Sequence, residues 1–382
     1  MEAIRHQSNV LLLWALTTIA LTVILTSCKK PDPSETPEEF NRGALLTHLA
    51  DELIIPSYAE FQVAVNELQN SANELANNPT SGSLSEARNS WRTTVLSWQK
   101  VAMFEFGPAA DITMQASTNV YPVDTVLVES NLSSGSYNLA SIANLAARGF
   151  PALDYLLFGG ASEESIIDLY TTDPNASGRV DYLLAVAAEL KTNTDQIVNA
   201  WQSTGGNYRN TFIANTGTDA GSSLGLFLNA FTKSFEQNTR KEKLGLPSGA
   251  STFSQTPLPD LVEAYYEFNN NITYIAASVQ AFENVYSGTN DLGEDGVGLD
   301  DYLDFLGATY FDDELNATIL DQLATLKTAV STLNDPLSDY VVSNQTEAIQ
   351  VYAEMQQLVV LWKVDMMSSL GVLVTYQDND GD

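Results

Sequence analysis

Apolar residues recur every three or four positions through most of this chain, and that period limits the possible folds more than any other feature. Tyr58, Phe61, Val65, Leu68, Ala72 and Leu75 form one stripe. Trp91, Thr94, Trp98 and Val101 form a second, and Ala348, Tyr352, Met355, Val359, Trp362 and Met366 a third. On a helix each set lies along one face, which needs a partner face to bury it. Further helices are expected near 136–148, 151–158, 174–203, 218–243, 259–287, 298–307 and 313–332. Turn-forming clusters such as NNPTSGS (77–83), STGGN (203–207) and SGTNDLGEDG (287–296) separate them. No series of alternating strands is present, so the expected class is all-α, built from bundles. The stretch 203–222, rich in Gly, Ser, Thr and Asn, is the poorest for a long helix. It divides the chain into two helical-bundle domains packed together, 41–205 and 206–382. No short-period repeat points to a solenoid.

Residues 1–40 belong to neither bundle. Arg5 and His6 precede an apolar run from Val10 to Leu25, too short and one-sided for a comfortable membrane span. It reads as a secretory signal over 1–27. Leu25-Thr26-Ser27-Cys28 resembles the lipobox of bacterial lipoproteins, in which the cysteine is lipidated and becomes the new N-terminus. Cys28 is the sole cysteine, so a disulfide framework and a thiolate metal site are both absent. KKPDPSETPEEF (29–40) carries three prolines and mixed charge, and 28–40 is expected to be a flexible lipidated tether. Lys29 is not the aspartate that retains some lipoproteins at the inner membrane, which favours the outer membrane, at its periplasmic face or on the cell surface. With 48 acids against 17 bases the net charge is −31, which argues against nucleic acid as a partner. It suits a soluble envelope protein or one that attracts cations.

Three stretches could carry chemistry. In RGFPALDYLLFGG (148–160), Asp154 interrupts an apolar run. Gly149 can end one helix and Pro151 suits the first turn of the next. Asp154 would then lie near a helix N-terminus, where the dipole favours negative charge, with Arg148 as a candidate partner. In WRTTVLSWQKVAMFEFGPA (91–109), the stripe continued by four residues reaches Glu105, just before Gly107-Pro108 breaks the helix. In KSFEQNTRKEKLGLPSG (233–249), Lys233, Glu236, Arg240 and Lys243 form a polar stripe beside Leu224, Phe227, Phe231 and Phe235. Glu236 and Arg240 stand at pairing distance, i and i+4. Four of the chain's 17 lysines and arginines fall within 233–243. They could be a solvated helix face, or could meet carboxylates of the other bundle or an anionic ligand. Asp365, close after Leu361 and Trp362, is a further interface candidate.

Other chemistry lacks its parts. DLGEDG (291–296) and DNDGD (378–382) begin like EF-hand loops, but the first has Gly293 at a ligand position and Tyr302 in place of the closing glutamate, and the second ends with the chain. Beyond the signal only His48 remains, too few histidines for an HExxH zinc site or a Ser-His-Asp triad. A bound metal would rely on oxygen ligands, which favours hard cations such as iron or calcium.

Taken together, LADELIIPSYAEF (49–61), WRTTVLSWQKVAMFEFGP (91–108), YPVDTVL (121–127), RGFPALDYLLFG (148–159), KSFEQNTRKEKLGLPSG (233–249) and KVDMMSSLGVLVTYQDNDGD (363–382) resemble the imelysin-like family of bacterial envelope proteins. The resemblance spans nearly all of the chain beyond the signal. It implies an all-helical, two-bundle protein, often a lipoprotein, with its site between the bundles. Family members are described as metallopeptidases, and others are linked to iron acquisition. The family's GxHxxE hallmark falls on Gly149, Pro151 and Asp154, giving GxPxxD. Proline can neither ligate a metal nor shuttle a proton, and the aspartate reaches about 1.3 Å less far than glutamate. The expected function is therefore a non-enzymatic envelope lipoprotein, anchored at Cys28, that binds a ligand or an iron- or haem-uptake partner between its bundles. Asp154 would face Arg148 or the basic stripe around Arg240 there. The alternatives are a peptidase with an oxygen-ligand metal site at Glu105 and Asp154, and a structural module of a surface complex.

Overall fold

The stripes become helices. The computed structural model of the chain describes residues 39–376, so the signal-like run, Cys28, most of the tether and DNDGD (378–382) lie outside the described residues. All six residues of the first stripe are buried on α1 (Ile55–Asn77). All four of the second are buried on α2 (Ser81–Val101), whose start is fixed by a capping box between Thr80 and Ser83. Next come α3 (Gly149–Phe158), α4 (Ala176–Trp201) and α5 (Ser223–Lys233), the last running directly into a π-helix over Ser234–Gly245. The remaining long helices are α6 (Asn271–Tyr286), α7 (Leu315–Val330) and α8 (Gln345–Val360), with a π-turn at Leu361–Met366. The third stripe crosses from α8 into that turn. Among the described residues the only strands are β1 (Thr309–Tyr310) and β2 (Asp313–Glu314), an antiparallel hairpin. No described helix is long and apolar enough to cross a membrane.

From Asn41 onward the chain forms one compact unit. In its first half α1 packs on α2 and α4, and α3 packs on α2 and α4. In its second half α7 packs on α6 and α8, and α8 on the Ser234–Gly245 π-helix. The halves meet where α6 lies on α2. Aromatic side chains fill both cores. Phe61 lies 5.6 Å from Trp98 and 6.4 Å from Phe150, while Trp362 lies 4.9 Å from both Phe231 and Phe235. Trp91 of α2 stands edge-on to Tyr274 of α6, at 6.4 Å, and ties one core to the other.

Two expected helices are corrected. Over 136–148 only a 3-10 turn, Ile142–Ala147, forms. The stretch 259–287 is not one helix. It is a 3-10 turn (Pro259–Leu261), an irregular loop, and then α6. A helix would direct the N–H groups of Tyr266 and Glu267 to carbonyls four residues back. Here both donate to the Asp154 carboxylate instead, and Ala264 and Phe268 take positive φ of 57° and 51°. A contact 112 residues away in sequence thus outweighs local helical period.

Candidate functional site

Asp154 organises the centre of the molecule from α3. The helix begins at Gly149, which opens this element rather than ending the one before it. Its φ is +65°, and a Cβ there would lie 2.1 Å from the Thr118 carbonyl oxygen, so only glycine fits. Pro151 falls in the first turn, where its missing N–H has no intrahelical role. Asp154 lies beyond that first turn, contrary to expectation, so its carboxyl oxygens must be met from outside the helix. It is 2% exposed, and its partners are neither Arg148 nor Arg240. Oδ2 accepts the Tyr266 N–H and Oδ1 the Glu267 N–H, each at 2.9 Å. Burial pushes the Asp154 carboxyl up to about 8; those two N–H donors oppose the rise, and the charges of Glu267 and Glu263 add to it.

The loop that supplies these amides is pinned on every side. Glu267 accepts from Arg92 Nε of α2 at 2.8 Å and from the Asn270 side-chain amide at 2.7 Å. Glu263 accepts from Asn119 Nδ2 at 2.7 Å and pairs with Lys243 of the π-helix. Asn271 Nδ2 donates to the Glu263 carbonyl at 2.7 Å. Outside the loop lies a cleft of about 330 Å³, walled by Pro151, Asp154, Tyr121, Pro122, Tyr265 and Tyr266. Tyr121 also lines a second cavity of about 360 Å³, which contains Glu105, Lys233 and Glu242.

The other expected site residues disperse. Arg148 turns away from Asp154 to Glu189 (3.1 Å), the Leu139 carbonyl (2.8 Å) and Ser117 Oγ (3.2 Å). Glu105 is not on a helix, because α2 ends at Val101; it sits in the following loop and accepts the Gln115 N–H at 3.0 Å. Burial pushes its carboxyl up to about 7, against the backbone N–H groups of Gln115 and Met114 and the charge of Lys233. The expected stripe of Lys233, Glu236, Arg240 and Lys243 is also corrected. In a π-helix the i→i+5 bonds widen each turn, so an α-helical stripe no longer stays on one face. Lys233 goes to the second cavity, and Lys243 to Glu263. Glu236 and Arg240 do pair, at 3.7 Å, within a buried cluster: Glu236 also meets Lys363 at 3.0 Å and the Tyr376 hydroxyl at 2.9 Å. Arg240 stacks 5.1 Å over the Tyr352 ring and donates to its hydroxyl and to Gln356. Asp365 joins neither cavity; its Oδ2 is buried without a partner among the described residues, and burial raises its carboxyl above the usual range.

Sequence reasoning missed Tyr121, Tyr265, Tyr266, Glu263, Glu267 and Glu242. Tyr121 stands in YPVDTVL and Glu242 in KSFEQNTRKEKLGLPSG, both stretches that carry the family resemblance. The loop acids and tyrosines gave no signal, since 259–287 read as helix.

The residues do not fit a resident metal centre. Among the described residues no three His, Cys, Asp or Glu side chains are grouped so as to hold an ion. Both Asp154 oxygens are engaged by backbone amides, and Glu105 lines the other cavity, so the expected Glu105–Asp154 ligand pair does not form.

Fold and site together define an all-helical protein whose buried acid holds a loop between two helical halves, beside two adjoining cavities. The imelysin peptidase family model matches residues 54–363, and the chain belongs to that family. The fold is shared with a solved protein from Parabacteroides distasonis described as an iron-regulated protein A precursor (TM-score 0.68, 19% identity, 88% of this chain and 97% of that one). It is also shared with an imelysin-like protein from Psychrobacter arcticum (TM-score 0.64, 18% identity, the same coverage of each chain). A search of curated proteins finds no match.

Proposed function

We propose that this chain is a non-enzymatic cell-envelope protein that binds a ligand or partner in the cleft beside Asp154, in the service of iron or haem acquisition. One observation carries the reading: the acid at the hallmark position is spent on two backbone N–H groups, and so builds a cleft wall rather than offering a free ligand or base. With Pro151 in place of the hallmark histidine, the cleft has no imidazole in its lining to move protons. The description of the Parabacteroides protein as iron-regulated supports the ligand class. Anchorage through a lipid on Cys28, in the outer membrane, belongs to the same reading; labelled palmitate should be incorporated by the wild type and not by Cys28→Ser.

Titration of the full chain with ferric citrate and with haem is the direct test. Saturable binding of one of them, weakened at least tenfold by Val123→Trp, which would fill the cleft, is the expected result. Val123 lines that cleft and not the second cavity. Metal-stimulated cleavage of an unfolded protein by the wild type, lost in Asp154→Ala, would overturn the non-enzymatic reading. Failure of both probes to bind would overturn the ligand class.

A further inference from the structure

The second cavity, of about 360 Å³, differs in chemistry from the cleft. Glu105 enters it from the loop after α2, Lys233 from the end of α5, and Glu242 from the π-helix, while Gln115 and Asn238 supply neutral polar groups. Its size is at the small end for a ligand pocket. Its lining mixes donors and acceptors, and two of the acceptors have room for a further donor. Glu105 Oε2 has one backbone donor from Gln115, and Gln115 Oε1 is buried with no partner among the described residues. A buried acceptor left unpaired costs about 1–3 kcal/mol, so a ligand that brings several N–H donors on one charged centre satisfies the cavity best. Lys233 is exposed and close enough to Glu105 to act on its charge. Lys233 and Glu105 thus stand within electrostatic reach of each other in a lining that Glu242 shares.

We propose that this cavity binds a small zwitterion of the amino-acid class, its ammonium held between Glu105 and Glu242 and its carboxylate by Lys233. The proposal is independent of the Asp154 cleft. Association would also respond to pH, because the ammonium needs ionised carboxylates. Burial pushes both Glu105 and Glu242 up to about 7. Glu105 is faced by Lys233 and the Met114 and Gln115 amides, and Glu242 by Lys243, Glu263 and Lys241. Ionisation on raising pH from 6 to 8 should strengthen binding roughly fivefold or more.

Calorimetry on the full chain with glycine, β-alanine and lysine, each beside its carboxylate-free amine (methylamine, ethylamine and cadaverine), tests the assignment. At least one amino acid should bind, and at least tenfold more tightly than its amine. Lys233→Met should abolish that preference, Glu242→Gln should weaken both ligands at least tenfold, and Val123→Trp should change neither. Thermal unfolding of each variant identifies any that fails to fold, and Glu105→Gln provides a second carboxylate variant should Glu242→Gln not fold. No heat from any amino acid with folded wild type, equal affinity for amine and amino acid, or unchanged affinity in folded carboxylate variants would each overturn the proposal.

Discussion

At the residue scale, Asp154 shows how a buried acid can be necessary without being a ligand. Each carboxylate oxygen takes one N–H from a loop more than a hundred residues on. Asparagine keeps the shape but offers one acceptor oxygen in place of two, leaving an N–H facing an N–H. Asp154→Asn is therefore expected to destabilise the protein by about 1–3 kcal/mol, measured by urea unfolding at pH 5. The sign of its pH dependence follows from the raised carboxyl. Its stabilising contribution is full below the ordinary value of 3.8 and declines as pH rises through about 8. The gap between wild type and Asp154→Asn should accordingly narrow from pH 5 to pH 8. The sequence flagged this aspartate because a charge inside RGFPALDYLLFGG is conspicuous. It could not name the partners, because backbone N–H groups belong to every residue and carry no sequence signature.

Elements matter here through their turn geometry. The segment 233–245 reads as an α-helical polar stripe, yet from Ser234 it winds as a π-helix and sends those side chains to three places. Lys243 pairs with Glu263, both nearly buried, and through it holds the loop that holds Asp154. Removing one partner leaves the other charge buried alone. Lys243→Met should cost about 3–5 kcal/mol, and adding Glu263→Gln should recover most of that. A double-mutant cycle by chemical denaturation reads the coupling. Comparable losses in the single and double variants would show that Lys243 acts through packing of its stem instead. The loop over 262–270 was illegible for a related reason: its apolar residues keep helical spacing, while its amides are claimed from outside.

On the scale of the whole molecule, the two halves share a boundary of aromatic and charged contacts. Trp91 meets Tyr274, Arg92 meets Glu267, and Asn119 meets Glu263. Each contact joins the first half to the second, so the halves should lose structure together. Tryptophan fluorescence and far-UV circular dichroism are expected to give coincident urea transitions between Asn41 and the C-terminus; two separated transitions would show that the halves unfold independently. Global charge acts in the same sense as the buried acids. Asp154, Glu105 and Glu242 all have raised carboxyls, and the chain carries −31 overall. Raising pH from 5 to 8 ionises the first three against their burial and adds to self-repulsion.

The sequence by itself determined the helical class, the main buried faces, the strong acidity and the shortage of histidine and cysteine. These follow from local periodicity and residue inventory, which survive any arrangement of the helices. Only the tertiary structure decided that Asp154 holds a loop, that Glu105 and Asp154 face different cavities, and that one polar stripe divides among three neighbourhoods. Those outcomes depend on groups far apart in sequence competing for the same buried donors and acceptors, and such competition is resolved by packing, where no local pattern records it.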